Sequence, residues 1–262
     1  ACVSIIAVLL ITVFLLVSGV PAIGKIGVFK FLLGTVWKPG NDIYGILPMI
    51  LGSFYVTAGA LVLGVPVGVL TAIFLSRFAS KRIVNLVKPA VQLLAGIPSV
   101  VYGFFGLVVI VPLLGGRGSM LAASIVLAIM ILPTVITVSE SSLNAVDPSY
   151  YEGALALGAT HEHSVFSIIL PAAKSGVTAA VILGVGRAIG EAMAVIMVAG
   201  NQPRMPQGIL KGLRTLTTNI VMEMGYSADL HREALIATAV VLFVFILIIN
   251  FLCSLTKRGN KA

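Results

Sequence analysis

Charge is what this sequence most lacks. Only 10% of its residues are Asp, Glu, Lys or Arg, while 59% are hydrophobic. A soluble globular chain carries about 25% charged residues. A soluble domain of this length would bury a large core, yet it would still need a charged surface to face water. With so little charge to build one, the solvent must be mostly lipid. Cysteine is nearly absent too. Cys2 and Cys253 sit in apolar runs near opposite ends of the chain. No disulfide framework, zinc spacing or CxxC motif is present, so both are expected as small buried hydrophobes. Basic residues outnumber acidic ones, 17 to 9. They are scattered through connecting segments without an aromatic platform, which argues against nucleic acid.

Nucleotide chemistry is also missing. A phosphate-binding loop reads GxxxxGK[ST] after a strand. Gly19 to Lys25 comes close, but Ile26 stands where the hydroxyl residue would hold magnesium, and the stretch follows an apolar span. Gly184, Gly186 and Gly190 miss the dinucleotide fingerprint, because the last spacing is one residue too long. Of the three histidines, His161 and His163 flank Glu162 in a polar loop, and His231 stands isolated. A solvated loop face is expected for the first two and no metal site. No nucleophile triad or carboxylate pair sits inside an apolar run, so no catalytic residues are assigned.

What the chain has is apolar runs. Charges divide it into six, at about 2–23, 47–76, 89–114, 120–138, 176–199 and 234–255. Each is long enough for a ~30 Å hydrocarbon core, which takes about 20 helical residues. None alternates with period 2, so barrel strands are excluded, and lipid leaves helices as the solution. The fold class is therefore an all-α membrane protein of six transmembrane helices, as one transmembrane domain over 1–262. The chain starts without Met inside an apolar run that is too long for a signal peptide, so further residues are expected ahead of Ala1. An even number of crossings puts both termini on one side, side A. Arg187 apart, the basic residues divide equally between side A and side B, so the positive-inside rule gives no orientation. Side B carries the larger loops at 24–46 and 201–233. No internal repeat points to an inverted-repeat transporter.

Arg187 and Glu191 stand one helical turn apart near the middle of the fifth run. An Arg at mid-bilayer costs at least ~2.5–3.5 kcal/mol. On one helix the two would meet. Either they form a self-neutralising structural pair, or they face a translocation path where Arg offers a planar fork to an oxyanion. Intramembrane ionisable residues favour the second. Gly186 and Gly190 have the GxxxG spacing that admits a second backbone, with Gly184 near the same face. In the third run, Pro98 is expected to kink the helix. The hydroxyls of Ser99 and Tyr102 either line a polar path or satisfy that kink. Glu140, Ser141 and Ser142 are read as the interfacial cap of the fourth run.

The side-A loop at 140–174 carries a pattern. Asp147 and Pro148 start a helix, Gly158 breaks it, and a second piece over Glu162–Ile169 ends before Pro171. Within it, Glu152, Gly153, Ala154, Gly158, Ile168, Leu170 and Pro171 resemble the cytoplasmic loop of bacterial ABC importer permeases, whose spacing they match. Gly153 replaces the family's usual Ala. The stretch Gly186–Asn201, the run Ala95–Gly103 and the region Leu33–Pro39 with Trp37 resemble the C-type permease of Pst-type phosphate importers.

The resemblance implies a type I importer permease (MetI-like) core and a coupling helix that docks on an ATPase subunit, which makes side A cytoplasmic. It further implies an A-type permease, two ATPase subunits that carry ATP and Mg, and an extracytoplasmic phosphate-binding protein. The chain itself is then a non-catalytic subunit without a cofactor, in the bacterial inner membrane. Arg187, Glu191, Ser99 and Tyr102 are expected on the substrate path. A permease for sulfate or molybdate, or a signalling or scaffold protein, remains the alternative.

Overall fold

The computed structural model describes residues 2–258, with side chains over 3–251. The expectations for the side chains of Cys2, Cys253 and the basic C-terminal residues fall outside those described. The first run is α1 (Cys2–Ile26). Its side chains are exposed along most of its length, with Val3 81% exposed. After α2 (Val28–Leu33), strands β1 (Trp37–Lys38) and β2 (Ile43–Tyr44) form an antiparallel ribbon that sets Trp37 opposite Tyr44. Then come α3 (Leu47–Phe78), α4 (Lys81–Gly96), α5 (Ser99–Leu113) and α6 (Met120–Asn144). The side-A segment holds α7 (Pro148–Ala156) and α8 (His161–Ala172). The chain closes with α9 (Lys174–Gly190), α10 (Met193–Val198), α11 (Leu216–Glu223) and α12 (Asp229–Arg258).

Among the described residues, four helices are long and apolar enough to cross a membrane alone, and up to six crossings result if each bent pair counts as one. The axis of the bundle is α6. In its most apolar stretch 61% of residues are buried inside the protein, against 6% in α1. Around it Val126, Leu127, Met130 and Ile131 meet Val56 and Ala60 of α3 and Val195 and Val198 of α10. A second core joins Phe31, Trp37, Tyr44 and Met49 to Leu235 and Ala237 of α12.

The expected single span 89–114 is instead two helices, α4 and α5, bent by 100°. Ile97 and Pro98 are extended at the elbow. Pro98 has no N–H to donate to the preceding turn, so the α4 ladder stops there. The Tyr102 hydroxyl reaches back to donate to the Leu94 carbonyl at 2.7 Å, which the Ile97 N–H meets only at 3.3 Å, so it strengthens a helix end for which lipid offers no partner. Pro112 and Pro171 behave differently and lie inside helices. Each follows a π-helical turn, Gly106–Ile110 and Val165–Ile169, whose wider ring shifts the hydrogen-bond register ahead of the missing N–H. So α8 runs through Pro171 rather than ending before it.

The fourth run also extends further than expected, and Glu140 is no interfacial cap. It is 5% exposed inside α6, 2.9 Å from Lys88 Nζ of α4. Burial of a carboxylate requires such a partner, and this one ties the arm that leads into the elbow to the bundle axis.

Gly103 lets the two broken spans meet. A Cβ there would lie 2.8 Å from Ala194 Cα, a backbone atom that cannot swing aside. Gly103→Ala therefore separates α5 from α10, at about 1–3 kcal/mol by the usual cost of overpacking. A fall in the melting temperature of the purified protein checks it, with Gly153→Ala, where a Cβ meets nothing within 4 Å, as the neutral control.

Candidate functional site: a helix break beside Arg187

Arg187 lies in the last turn of α9, which stops at Gly190. Glu191 is extended (φ −77°, ψ 123°), and α10 resumes at Met193. The fifth run is thus a broken span, and Arg187 and Glu191 do not share a helix. The i, i+4 pairing expected from the sequence is absent, because the backbone turns away at Glu191.

Glu191 is engaged elsewhere. Its Oε1 accepts the N–H of Ala194 at 3.1 Å, capping the first turn of α10, where a negative charge is favoured by the helix dipole. Its carbonyl accepts the Thr217 hydroxyl at 3.0 Å. Arg187, half-buried, forms no ion pair among the described residues.

Two faces of α9 separate here. A Cβ on Gly184 would approach Val135 of α6 at 3.2 Å, whereas Cβ atoms on Gly186 and Gly190 would meet nothing within 4 Å. Gly184 therefore faces the bundle, contrary to its expected place beside the other two. Gly186, Gly190 and exposed Leu183 leave an open strip alongside Arg187. Ser99 is half-buried at the start of α5. The Tyr102 hydroxyl closes the elbow, so of its two expected roles the structure shows the satisfied kink.

Sequence reading missed the side-B cover. The expected surface loop 201–233 folds inward, and Gly212–Asn219 are all buried. Leu216 N–H donates to Ser53 Oγ at 2.9 Å. Ser53, Thr57, Thr215, Thr217 and Glu191 line a small hydroxyl-rich recess at the break. The run Thr215-Leu-Thr-Thr-Asn219 was the available signal, since it forms a capping box on α11 with Thr218.

One carboxylate holds this cover in place. Glu223 Oε1 accepts from Arg214 Nη1 at 2.5 Å, and Oε2 accepts from Trp37 Nε1 at 2.9 Å. His231 Nε2 lies 2.8 Å from the same Oε2. Arg214 Nε also donates to the Asn201 carbonyl at 3.1 Å. His231, isolated in sequence, joins a network between β1, the re-entrant segment and α12.

On side A, Asp147 caps α7 by accepting the Ser149 N–H at 2.8 Å, and Ser149 holds its carboxyl below the usual range. That cap is present above the ordinary carboxylate pKa and weakens only as pH falls through the lowered value. Gly158 turns the chain at φ 86°, and Thr160 caps α8. Glu152, Gly153 and Gly158 are exposed together with Leu157, which is 92% exposed. Ala154 points inward, Ile168 and Leu170 are half-buried, and Pro171 is exposed. His161 leaves His163 for Tyr151, whose hydroxyl is 2.7 Å from its Nδ1, and meets Phe78 edge-on with ring centres 4.7 Å apart.

A bundle of broken spans, an Arg187 that forms no ion pair among the described residues and an exposed helical elbow on one side fit a membrane-embedded transport subunit. The chain belongs to the family of binding-protein-dependent transport system inner membrane components, which matches residues 64–259. It is a multi-pass inner-membrane permease. It is 39% identical to the probable ABC transporter permease protein YqgH of Bacillus subtilis, over 94% of this chain and 85% of that one. It is 33% identical to the phosphate transport system permease protein PstC of Haemophilus influenzae, over 82% of this chain and 76% of that one. Among solved structures, an inward-facing MetNI methionine ABC transporter aligns with TM-score 0.64 at 21% identity, over 83% of this chain and 95% of that one. A bacterial alginate ABC transporter aligns with TM-score 0.63 at 17% identity, over 98% and 95%. The all-α importer-permease fold expected from the sequence is the fold observed.

Proposed function

We propose that this chain is the C-type permease of an ATP-driven inorganic phosphate importer. The observation that carries the reading is Arg187, a cation within an apolar run that has no ion-pair partner among the described residues, beside the open Gly186–Gly190 strip and one turn before the helix break. The relatives named as phosphate permeases support the anion. A second, A-type permease would pack along the open strip, so that the path runs between the two chains past Arg187. A planar guanidinium donates paired hydrogen bonds to a tetrahedral oxyanion, and a single site of this kind binds weakly enough to release. Glu191 acts beside the path by fixing the break rather than by neutralising Arg187.

ATP and Mg would be bound by two partner ATPase subunits. The elbow of Glu152, Gly153, Leu157 and Gly158 would dock on one of them, with Ile168, Leu170 and Pro171 carrying motion into α9. That makes side A and both termini cytoplasmic, and side B the face for a phosphate-binding protein.

ATP-dependent uptake into vesicles containing the assembled complex tests the substrate. Phosphate is expected to accumulate only with ATP and the binding protein present. Accumulation of sulfate or molybdate in place of phosphate would overturn the substrate and leave the machine standing.

A further inference from the structure

The elements ahead of α3 lie outside the family match. They form a cleft of about 530 Å³ on side B, within the size range of small-molecule sites. Three spans converge on it. Lys25 and Ile26 end α1, Leu230 opens α12, and Gly45 lies just ahead of α3. A cleft at the same-side ends of three spans sits where hydrocarbon meets water. Tyr44, which lines it, belongs to the aromatic class that marks that boundary.

Its charges are of both signs, and they are not all used. Lys25 Nζ is 2.6 Å from Glu233, so that pair is internally neutral. Lys30 lines the same cleft without an ion pair among the described residues. Asp42 also lines it, held at φ 55° in the left-handed region, where Asp is tolerated better than most side chains. The Tyr44 hydroxyl donates to Asp42 Oδ1 at 3.1 Å, which orients the carboxylate and leaves Oδ2 available. Burial and Asp42 push Tyr44 up to about 12, so it remains a donor throughout the physiological range. Beside Lys30 the short α2 shows Val28, Phe29 and Leu33 at 50%, 80% and 60% exposure. The cleft itself has an apolar rim in Ile26 at the end of α1, Val36, Ile43 and Leu230.

We propose that this cleft holds the headgroup of a phosphoethanolamine-type lipid, with the phosphodiester on Lys30 and the primary ammonium on Asp42. The acyl chains would run down the exposed face of α1. The match is to a zwitterion carrying N–H donors. A purely anionic headgroup leaves the Asp42 carboxylate facing negative charge. A choline headgroup has no N–H to give it. Free inorganic phosphate lacks both the ammonium and the chains that the apolar rim accepts.

Native mass spectrometry of the purified, assembled complex tests this, with phosphatidylethanolamine, phosphatidylcholine and phosphatidylglycerol of identical chains added in turn. The expected result is retention of phosphatidylethanolamine at about tenfold lower concentration than either competitor. Lys30→Gln and Asp42→Asn should each remove that preference. The exchange Lys30→Asp with Asp42→Lys should restore it, because the two charges remain in one cleft. Millimolar inorganic phosphate should not displace the lipid. Equal retention of all three lipids, a preference for phosphatidylglycerol, or indifference to both single substitutions would overturn the proposal. Displacement by inorganic phosphate would overturn it too, and would make the cleft an anion site. The readout is lipid retention and not uptake, so it stands or falls independently of the transported substrate.

Discussion

Arg187→Gln should reduce ATP-dependent phosphate uptake by about ten- to a hundredfold while the complex stays assembled. The range follows from the ~1.5–3 kcal/mol carried by a hydrogen bond to a charged partner. Gln keeps polarity and most of the length, and it removes only the charge and the planar fork. The structure strengthens this expectation in one respect. Had Arg187 been paired with Glu191, its removal would have left a buried carboxylate uncompensated, and a folding defect would have confused the result. Among the described residues Arg187 has no such partner, and Glu191 is held by Ala194 and Thr217. Arg187→Lys should fall between, since it retains charge without the bidentate geometry. Glu191→Gln should cost less uptake than Arg187→Gln, because a carboxamide oxygen still accepts the Ala194 N–H and the break survives. Uptake is measured in vesicles with ATPase-subunit retention checked on the same sample. Unchanged uptake by an intact Arg187→Gln complex would remove Arg187 from the path.

The difference between the paired and the broken arrangement shows which features a sequence can carry. Long apolar runs, their number and the coupling-loop pattern are one-dimensional signals. They identified a helical bundle with a side-A elbow, and Asp147, Pro148 and Gly158 marked the ends of α7 by ordinary capping and turn chemistry. Arg187 was legible for a similar reason, since a charge within a run of about twenty apolar residues is anomalous whatever the fold. The breaks were harder. Pro98 announced a defect, but a proline allows anything from a kink to a 100° elbow, and Pro112 and Pro171 do not interrupt their helices at all. The break after Gly190 has no proline. There Thr217, some 26 residues later, supplies a hydroxyl to the Glu191 carbonyl, and that partnership is invisible to local periodicity. The same is true of Gly184 and Gly186, two residues apart and on opposite faces.

The side-B network gives the second large effect. Glu223→Ala should release the re-entrant segment that covers the break. Arg214 and Glu223 are only 9% and 7% exposed. Deleting one member of a buried pair costs about 3–5 kcal/mol, chiefly because the remaining charge is stranded. Here Arg214 would be left with neutral oxygens only, at Asn201 and Asn219, and Trp37 would lose the acceptor of its indole N–H. Local opening that becomes easier by this amount accelerates amide exchange across 212–223 by about a hundredfold or more. Hydrogen exchange on the assembled complex measures it directly, with α6 as the internal reference that should not change. The double substitution Arg214→Met with Glu223→Leu should recover most of the protection, because apolar packing of similar volume replaces a buried ion pair at little net cost. His231→Phe should have a smaller effect than Glu223→Ala, since Arg214 and Trp37 still satisfy the carboxylate. If Glu223→Ala left exchange in 212–223 unaltered, the network would not be what holds the cover. The hydroxyl contacts of Ser53 and Thr217 would then have to do so alone. If the double variant opened as far as the single one, the loss would lie in the geometry of the three-way junction rather than in the stranded charge.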